Sequence, residues 1–201
     1  MRVLVVTYPT PKDIRKILTL NDSDYIIAVD QAVLALYKQR ISINLAVGDF
    51  DSLSHQGILS QLNVIRLNPI KDVTDTHQAL IEASKIDADE IILIGGIGGE
   101  RIEHFIVHTM LLHAFPKVKI IDDFSTIYLL NPGLHRFKDT SMYYSFFAYP
   151  KATLSLSGFK YPLMEYMLNT YDPLCISNEI DDSEGLVHIK DGYVLVVISK
   201  K

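Results

Sequence analysis

The feature that most constrains the fold is an alternation between short apolar, β-rich runs and helical patterns over the first part of the chain. The apolar runs recur roughly every 20 to 28 residues, a spacing typical of βα units. Several of these runs are apolar throughout, as expected of parallel strands covered by helices on both faces. We therefore predict a parallel sheet of about six strands. The runs are RVLVV, DYIIAVD, INLAVG, NVIRLN, EIILIGG and VKIIDD, and the helical patterns are PKDIRKILTL, QAVLALYKQR, SLSHQGILSQL, DTHQALIEASKI and RIEHFIVHTMLLHAF.

After Asp123 the pattern changes to short strand-like runs divided by proline, glycine and aspartate turns. GLVHI followed by KDGYVLVV is typical of a β-hairpin, because KDG is a turn signal. YPLMEYMLNT is interpreted as one short helix or a loop. We predict a second domain that is rich in β-strands.

Composition limits the partners of the chain. With 48% hydrophobic and 21% charged residues the protein is globular, and its net charge is −5. Lysine and arginine are scattered and form no basic patch, so we expect no nucleic-acid partner. An acidic protein can still bind a polyphosphate if a divalent cation bridges the like charges.

Other classes of protein are also disfavoured. The lone Cys175 cannot form an internal disulfide and is interpreted as a small apolar filler. The apolar run in MRVLVVTYPTP is too short for a signal peptide, and nothing approaches the ~20 apolar residues of a membrane span. We expect a cytoplasmic protein with no membrane partner.

Acidic and glycine residues follow the predicted strands. Because ligands of open parallel sheets bind outside the carboxyl ends of the strands, these residues are expected to share one edge. They are Asp30 after the second strand, Asp49 and Asp51 after the third, Asp72, Thr74 and Asp75 after the fourth, and a glycine turn with Gly96, Gly98, Arg101, Glu103 and His104 after the fifth.

Each of these features also has a purely structural interpretation. Asp30, Ser52, and Thr74 or Asp75 could each cap a following helix, and the glycine turn could be a tight connection. His104 and His108 are four residues apart and could bind zinc, but packing and a helix-surface role are favoured because no HExxH order is present.

Taken together, the strand ends favour a metal site. Several carboxylates on one rim repel each other unless a cation is present. Magnesium prefers hard oxygen ligands and bridges to phosphates. Glycines let backbone N–H groups approach a phosphate at a helix N-terminus, and the forked guanidinium of Arg101 suits a phosphate oxygen. This pattern indicates Mg²⁺-dependent phosphoryl or nucleotidyl chemistry.

Five blocks, in order over roughly residues 24–198, resemble the signature blocks of thiamine pyrophosphokinases: GDFDS, KDVTD, GGIGGERIEH, SLSGFKYPL and CISNEI. The fold class then expected is α/β plus all-β, with a Rossmann-like parallel sheet and helices over residues 1–125 and a β-sandwich domain over residues 126–201. The resemblance implies a homodimer that transfers pyrophosphate from ATP to the hydroxyl group of thiamine, releasing AMP.

The resemblance also implies roles for individual residues. Asp49, Asp51 and Asp75 would hold Mg²⁺ on the triphosphate. On chemical grounds, Asp51 or Asp75 could accept the alcohol proton if it is not fully committed to the metal. Asp30, Asp72, Thr74, Gly96 and Gly98 would support the metal or nucleotide, Arg101 would contact phosphate, Glu103 and His104 would orient groups beside it, and Tyr161, Ser177 and Asn178 would form the thiamine pocket at the dimer interface.

The chain departs from the family pattern at several positions. Glu100 replaces a glycine, Glu103 replaces an aspartate, and His108 replaces an asparagine. The two glycines that often follow Asp30 are absent, and Tyr161 stands where a pocket tryptophan is common. These departures leave the metal carboxylates in place and affect the expected substrate affinity more than the reaction type.

Two other functions are alternatives for this sequence. INLAVGDFDSL also resembles the first block of haloacid-dehalogenase-type phosphatases, in which Asp49 would be the nucleophile and Asp51 the acid/base. That block normally closes the first strand of its sheet, whereas two strand–helix units precede it here. The other alternative is a non-catalytic thiamine- or nucleotide-binding protein.

Overall fold

The structure is a computed structural model that describes residues 1–51, 53, 55–68, 70, 72–99 and 101–201. Its chain divides into two compact units, Met1–Asp123 and Phe124–Lys201. Each unit has its own arrangement of strands.

The first unit contains a parallel sheet, which confirms the predicted α/β fold. The six predicted runs form its strands, in the order β6-β5-β1-β2-β3-β4, and each adjacent pair is parallel. The strands are β1 (Arg2–Thr7), β2 (Tyr25–Val29), β3 (Leu45–Gly48), β4 (Val64–Arg66), β5 (Glu90–Gly95) and β6 (Val118–Ile121).

Helices cover this sheet and explain why its central strands are apolar throughout. The described α-helices are α1 (Ala32–Lys38), α2 (Asp75–Ser84) and α3 (Ile102–Ala114). Helix α1 packs on β2, and α2 packs on β1, β2 and β3. In β1 every residue from Val3 to Val6 is at most 1% exposed, because side chains pointing to either face are covered.

Two of the predicted helices form only short 3₁₀ turns. The PKDIRKILTL pattern gives Ile14–Lys16, so the prediction of a helix there is wrong. The side chain of Gln39 contacts this segment, because its Oε1 accepts from Ile14 N at 3.0 Å and its Nε2 donates to Pro11 O at 3.0 Å. The side chain of Asp13 caps the short turn by accepting from Arg15 N. SLSHQGILSQL gives Gln56–Gln61, and the suggested cap Ser52 lies outside the described residues.

The second unit is built from antiparallel strands, which confirms the predicted β domain. Its strands are β7 (Ser125–Leu130), β8 (Gly133–Phe137), β9 (Met142–Ser157), β10 (Leu163–Asn169) and β11 (Gly185–Lys200). Strand β11 pairs with β9 along its length, with β8 through its first half and with β7 through its second half. Strand β11 is therefore the central strand of this unit, with β9 on one side and β8 and β7 in turn on the other.

The predicted hairpin at KDG is wrong, because β11 continues through these residues as one strand. Its register with β9 shifts between Ile189 and Asp191 and again between Gly192 and Tyr193. Gly192 has a φ of +76°, and Asp191 Oδ1 accepts from Thr153 N at 3.0 Å. The turn-forming residues therefore make a bulge, which bends the strand without reversing it.

The segment YPLMEYMLNT was interpreted as a helix or loop and is instead strand β10, paired with β9. Its register shifts between Leu163 and Tyr166, and Glu165 has a φ of +43°. The amide N–H of Glu165 donates to Ser155 Oγ at 2.9 Å. Because its apolar residues do not alternate regularly across this bulge, the strand period was hidden in the sequence.

The core of the second unit is aromatic. Tyr144 contacts Phe137 and Phe159 edge-to-face, with ring centroids 5.2 and 5.7 Å apart. Cys175 is 2% exposed in the same core, and burial raises the pKa of its thiol to about 11. The interpretation of Cys175 as a small apolar filler agrees with this burial.

Candidate active site

A cleft of about 500 Å³ lies at the carboxyl ends of the strands in the first unit. Residues from the loops after β1, β2 and β3, together with the starts of α2 and α3, line this cleft. Most of the site residues predicted for this unit are among them: Asp30, Asp49, Asp51, Thr74, Asp75, Gly96, Gly98, Arg101 and His104. The sheet geometry therefore brings together side chains that are up to 74 positions apart in sequence (30 to 104).

Three carboxylates lie close together in the cleft. One oxygen from each of Asp30, Asp49 and Asp51 lies within 4.8 Å of the other two. Asp30 Oδ1 is buried and has no hydrogen-bond partner among the described residues. Burial, and next the charges of Asp49 and Asp75, raise the pKa of Asp30. A set of hard oxygens held together against their repulsion fits Mg²⁺.

The backbone places these carboxylates side by side. Phe50 lies between Asp49 and Asp51 in sequence, has a φ of +60° and is fully buried. This left-handed conformation is uncommon for a bulky residue and is held here by the packed ring. Gly48 lets β3 approach β2, because a Cβ at that position would lie 3.2 Å from Asp30 Cα.

Asp30 does not occupy the cap position of α1. The N-cap residue is Gln31, whose side chain makes no capping hydrogen bond. Asp30 itself has a φ of +46°, and its backbone N–H donates to Val47 O at 3.0 Å. The capping interpretation of Asp30 is therefore wrong, and its side chain lines the cleft.

The start of α2 combines a structural and a cleft-lining role. Thr74 is the N-cap, and its hydroxyl accepts from His77 N at 3.1 Å, so the capping interpretation of Thr74 is confirmed. Asp75 begins the helix and lines the cleft, whereas Asp72 is exposed outside the lining. Asp75, which was predicted as a metal ligand, is not part of the group of three carboxylates. Asp30, which was not predicted as a metal ligand, takes its place beside Asp49 and Asp51.

The glycine turn after β5 leads into α3. The N–H of Gly96 donates to Pro9 O at 3.1 Å, and Gly98, with a φ of +70°, faces open space where a side chain would lie. Arg101 Nε donates to Glu103 Oε1 at 3.1 Å, and both side chains are exposed. Glu103 itself lies outside the cleft lining, and Glu100 lies outside the described residues.

His108 lies below this turn and is 2% exposed. Its Nδ1 is 3.2 Å from Gly96 O, and its ring packs edge-to-face with that of His104. Among the described residues the metal-compatible group contains the aspartates and neither histidine. The packing interpretation of His108 is thus the one that the structure supports.

The loop after β1 also borders the cleft and was not predicted from the sequence. Thr7, Tyr8 and Pro9 line the cleft, and Thr7 Oγ1 lies 3.0 Å from Thr76 Oγ1 in a buried pair. The rule applied to the other strands, that residues directly after a strand face the site, would have identified this loop.

A second cavity, of about 400 Å³, lies in the second unit and is lined by Tyr161 and Asn178. The buried amide of Asn178 holds the backbone of Tyr161, because Oδ1 accepts from Tyr161 N at 3.1 Å and Nδ2 donates to Tyr161 O at 2.9 Å. Ser177, with a φ of +52°, is exposed beside the cavity and does not line it.

The fold and site define a class of protein: a parallel α/β unit with an acidic cleft at its strand ends, joined to an antiparallel β unit. Two segments of the chain match domains of one known protein family. Residues 17–121 match the catalytic domain of thiamin pyrophosphokinase, and residues 134–194 match its vitamin B1 binding domain. The chain belongs to the thiamin pyrophosphokinase family.

Individual relatives agree with this assignment. The chain is 30% identical to thiamine pyrophosphokinase of Bacillus subtilis (strain 168), over 99% of each chain. The crystal structure of the Bacillus subtilis protein superposes with a TM-score of 0.85 at 26% identity, covering 100% of both chains. That of Geobacillus thermodenitrificans thiamin pyrophosphokinase gives 0.87 at 27% identity, covering 100% of this chain and 98% of the other.

The family match replaces the phosphatase interpretation, and Asp49 follows the third strand of the chain rather than the first. Within the part of the chain that the structure describes, no helix combines the length and apolar character needed to cross a bilayer.

Proposed function

We propose that this protein transfers a pyrophosphoryl group from ATP to the hydroxyl group of thiamine, giving thiamine diphosphate and AMP. Family membership supports the reaction class. The observation that carries the proposal is the grouping of Asp30, Asp49 and Asp51 within 4.8 Å in a cleft that also contains Arg101. Such a cleft suits a triphosphate whose charge is shared between a divalent cation and a guanidinium group.

In this proposal Asp49, Asp51 and Asp75 would hold Mg²⁺. Asp30 would be a further oxygen donor, which is supported by its carboxylate oxygen lying within 4.8 Å of those of Asp49 and Asp51. The metal would offset negative charge on the phosphate oxygens and on the departing AMP. Thr74 and the exposed Asp72 support the bound metal or nucleotide. Because positioning and charge neutralisation supply most of the rate in phosphoryl transfer, these residues act mainly by holding the triphosphate in line with the attacking alcohol.

The glycine turn and α3 hold the phosphate end. The open position at Gly98 permits close approach of a phosphate, while Gly96 shapes the turn. Arg101 contacts a phosphate oxygen, Glu103 orients its guanidinium through the 3.1 Å contact, and His104 lies beside them. Whichever of Asp51 and Asp75 is not fully committed to the metal accepts the proton of the thiamine hydroxyl.

The second unit binds thiamine through Tyr161, Ser177 and Asn178. The ring of Tyr161 offers a face to the cationic thiazolium, and Asn178 fixes the backbone that carries this ring. The protein acts as a cytoplasmic homodimer with its thiamine pocket at the dimer interface, and residues 1–125 and 126–201 are its catalytic and thiamine-binding domains. Light scattering coupled to size exclusion tests the dimer, and a monomeric mass would contradict it.

The reaction is tested by incubating the protein with thiamine, ATP and Mg²⁺ and following AMP and thiamine diphosphate by chromatography. We expect equal amounts of the two products and loss of both on addition of EDTA. Release of free phosphate from simple monoesters without AMP would instead indicate a phosphatase. Binding of thiamine or ATP without turnover would indicate a non-catalytic binding protein.

A further inference from the structure

The buried face of α3 carries a titratable side chain that the proposed chemistry does not use. His108 is 2% exposed and lies one helical turn after His104, which lines the cleft. The two imidazole rings pack edge-to-face, with centroids 6.4 Å apart and an interplanar angle of 80°. His108 therefore contacts a cleft residue without reaching the cleft itself.

His108 also contacts the glycine turn. Its Nδ1 lies 3.2 Å from Gly96 O, while the N–H of Gly96 donates to Pro9 O at 3.1 Å. Both backbone groups of Gly96 are thus engaged, one by the loop after β1 and the other by α3. The turn cannot shift toward or away from the cleft without breaking one of these bonds.

The packing around this bond depends on the absence of a side chain at residue 96. A Cβ there would lie 2.7 Å from His108 Nδ1 and 2.8 Å from Thr7 Cγ2. Gly96 also has a φ of +71°, a conformation that favours glycine. The edge of the imidazole therefore lies directly against the backbone of the turn.

The protonation of the ring follows from its partners. Because a carbonyl oxygen only accepts, Nδ1 must carry the proton, which leaves Nε2 as a lone-pair acceptor. Nε2 is buried and has no hydrogen-bond partner among the described residues. Burial lowers the pKa of His108 to about 4, so the ring stays neutral near pH 7. An unpartnered buried nitrogen costs stability, so the residue is poorly explained by stability alone.

We propose that His108 is a positioning residue: its Nδ1–H bond to Gly96 O, together with its contact to the His104 ring, fixes the glycine turn and α3 relative to the phosphate end of the cleft. This inference deepens the proposed function and rests on it for its kinetic consequence. Its structural consequence, order in the turn, can be measured without substrate.

The test compares His108→Leu with His108→Asn. Leucine keeps an apolar side chain and removes the donor, whereas the asparagine amide keeps a donor near the position of Nδ1. His113 lies on the same helix, is exposed, and provides matched controls as His113→Leu and His113→Asn. Melting temperatures establish that each variant folds.

We expect His108→Leu to lower kcat/KM for ATP about tenfold or more, as for loss of a bond to a buried acceptor, and to leave KM for thiamine unchanged. His108→Asn should remain within about threefold of the wild type, because its amide restores the donor. A folded His108→Leu protein with unchanged ATP kinetics would overturn the proposal. Equal losses in both variants, tracking their melting temperatures, would also overturn it by showing a purely structural role.

Hydrogen–deuterium exchange of the substrate-free protein separates this proposal from the proposed function. In His108→Leu the amides of residues 95–99 should exchange faster than in the wild type, with little change in His108→Asn and in both His113 controls. Faster exchange would support the positioning role even if the wild type proved unable to make thiamine diphosphate. Unchanged exchange in this turn would refute the role even if the enzyme were fully active.

Discussion

The guanidinium group of Arg66 lies over the ring of Phe50, with its central carbon 5.5 Å from the ring centroid. Its Nη1 also donates to Asp49 O at 3.1 Å. Phe50 is buried beneath this group with a left-handed backbone, so one arginine holds both the ring and the peptide between the two aspartates. Arg66 ends β4, and the neighbouring strand thus supports the loop that presents the carboxylates.

Arg66→Met should weaken metal binding, because it removes the hydrogen bond to Asp49 O and the cation above Phe50 while keeping an apolar stem. We expect the Mg²⁺ concentration for half-maximal activity to rise by about three- to tenfold, with melting temperature nearly unchanged. The control is Arg136→Met, which removes an exposed arginine paired with Glu184 in the second unit. Equal effects of the two variants would contradict a specific role for Arg66.

Asp49→Asn should reduce turnover by about two orders of magnitude or more while the fold persists, because it keeps the side-chain shape and removes the charge that a cation needs. Asp22→Asn, at an exposed loop position, controls for the loss of one negative charge. The measurement is kcat for AMP formation under saturating substrates. Near-normal kcat in Asp49→Asn would remove Asp49 from the proposed metal ligands.

Asp30 gives a pH-dependent stability in metal-free protein. Its raised pKa means that the folded state binds the proton more tightly than the unfolded state, so its ionisation destabilises the fold as pH rises. Asp30→Asn should therefore raise the melting temperature by a few degrees at pH 7 in EDTA. The difference should shrink as pH falls through the raised pKa and disappear below the ordinary aspartate value of 3.8.

With added Mg²⁺ the wild type should have a higher melting temperature than Asp30→Asn. Cation binding stabilises the wild type, whereas Asp30→Asn has lost one carboxylate charge and should be stabilised less. Thermal shift with and without Mg²⁺ checks both halves of the prediction. A melting temperature of Asp30→Asn below that of the wild type in EDTA at pH 7 would contradict the charge-repulsion account.

Tyr161→Ala should weaken thiamine binding by about 1–3 kcal/mol if the ring contributes a buried aromatic contact in the complex. Tyr161→Phe keeps the aromatic face and serves as the matched control, with an expected change below about 0.5 kcal/mol. Calorimetric titration with thiamine measures both. Unchanged affinity in Tyr161→Ala would place the thiamine pocket elsewhere.

Asp24 provides a stability prediction away from the cleft. Burial alone would raise the pKa of Asp24, but hydrogen bonds from Arg2 and from the N–H of Asn21 outweigh it, so this pKa is lowered. The carboxylate is 1% exposed and accepts from Arg2 Nε at 2.9 Å and from Nη2 at 2.7 Å. Asp24→Asn should lower the free energy of unfolding by about 2–4 kcal/mol at pH 7.

The contribution of Asp24 to stability should depend on pH. Because the pKa is lowered in the folded state, the contribution is present above the ordinary aspartate value of 3.8 and is lost as pH falls toward the folded value. Asp89→Asn removes the partner of the exposed N-terminal amine and should change stability much less than Asp24→Asn, because solvent screens an exposed ion pair. Urea unfolding at pH 7 and pH 3 compares the two, and equal effects at pH 7 would contradict the prediction.

The α/β part of the fold was predictable from sequence because its signals are local. The continuous apolar runs of β1 and β5 follow from burial on both faces, and all six runs form parallel strands. The cleft was predictable for a related reason: once strands are parallel, residues after their carboxyl ends must share an edge. Asp30, Asp49 and Arg101 were therefore placed together by topology before any contact was known.

The β part was less predictable because its register is set by long-range pairing. Local turn chemistry at Lys190–Gly192 indicated a hairpin, whereas pairing of Asp191 with Thr153 makes the same residues a bulge. Likewise, the backbone N–H of Ile14 donates to Gln39, 25 positions away. No local pattern contains these distant partners.

The sequence by itself determined the parallel sheet, the edge at which its acidic residues gather, and the family to which the chain belongs. Only the tertiary structure decided that Asp30 is the carboxylate that lies close to Asp49 and Asp51. It also decided that the carbonyl oxygen of Gly96 is hydrogen-bonded to the ring of His108. The physical reason is that the pattern of a strand reflects burial, and the hydrophobicity that favours burial is a property of each residue by itself. Distances of a few ångströms depend on how separate loops pack, and that information resides in no single stretch of the chain.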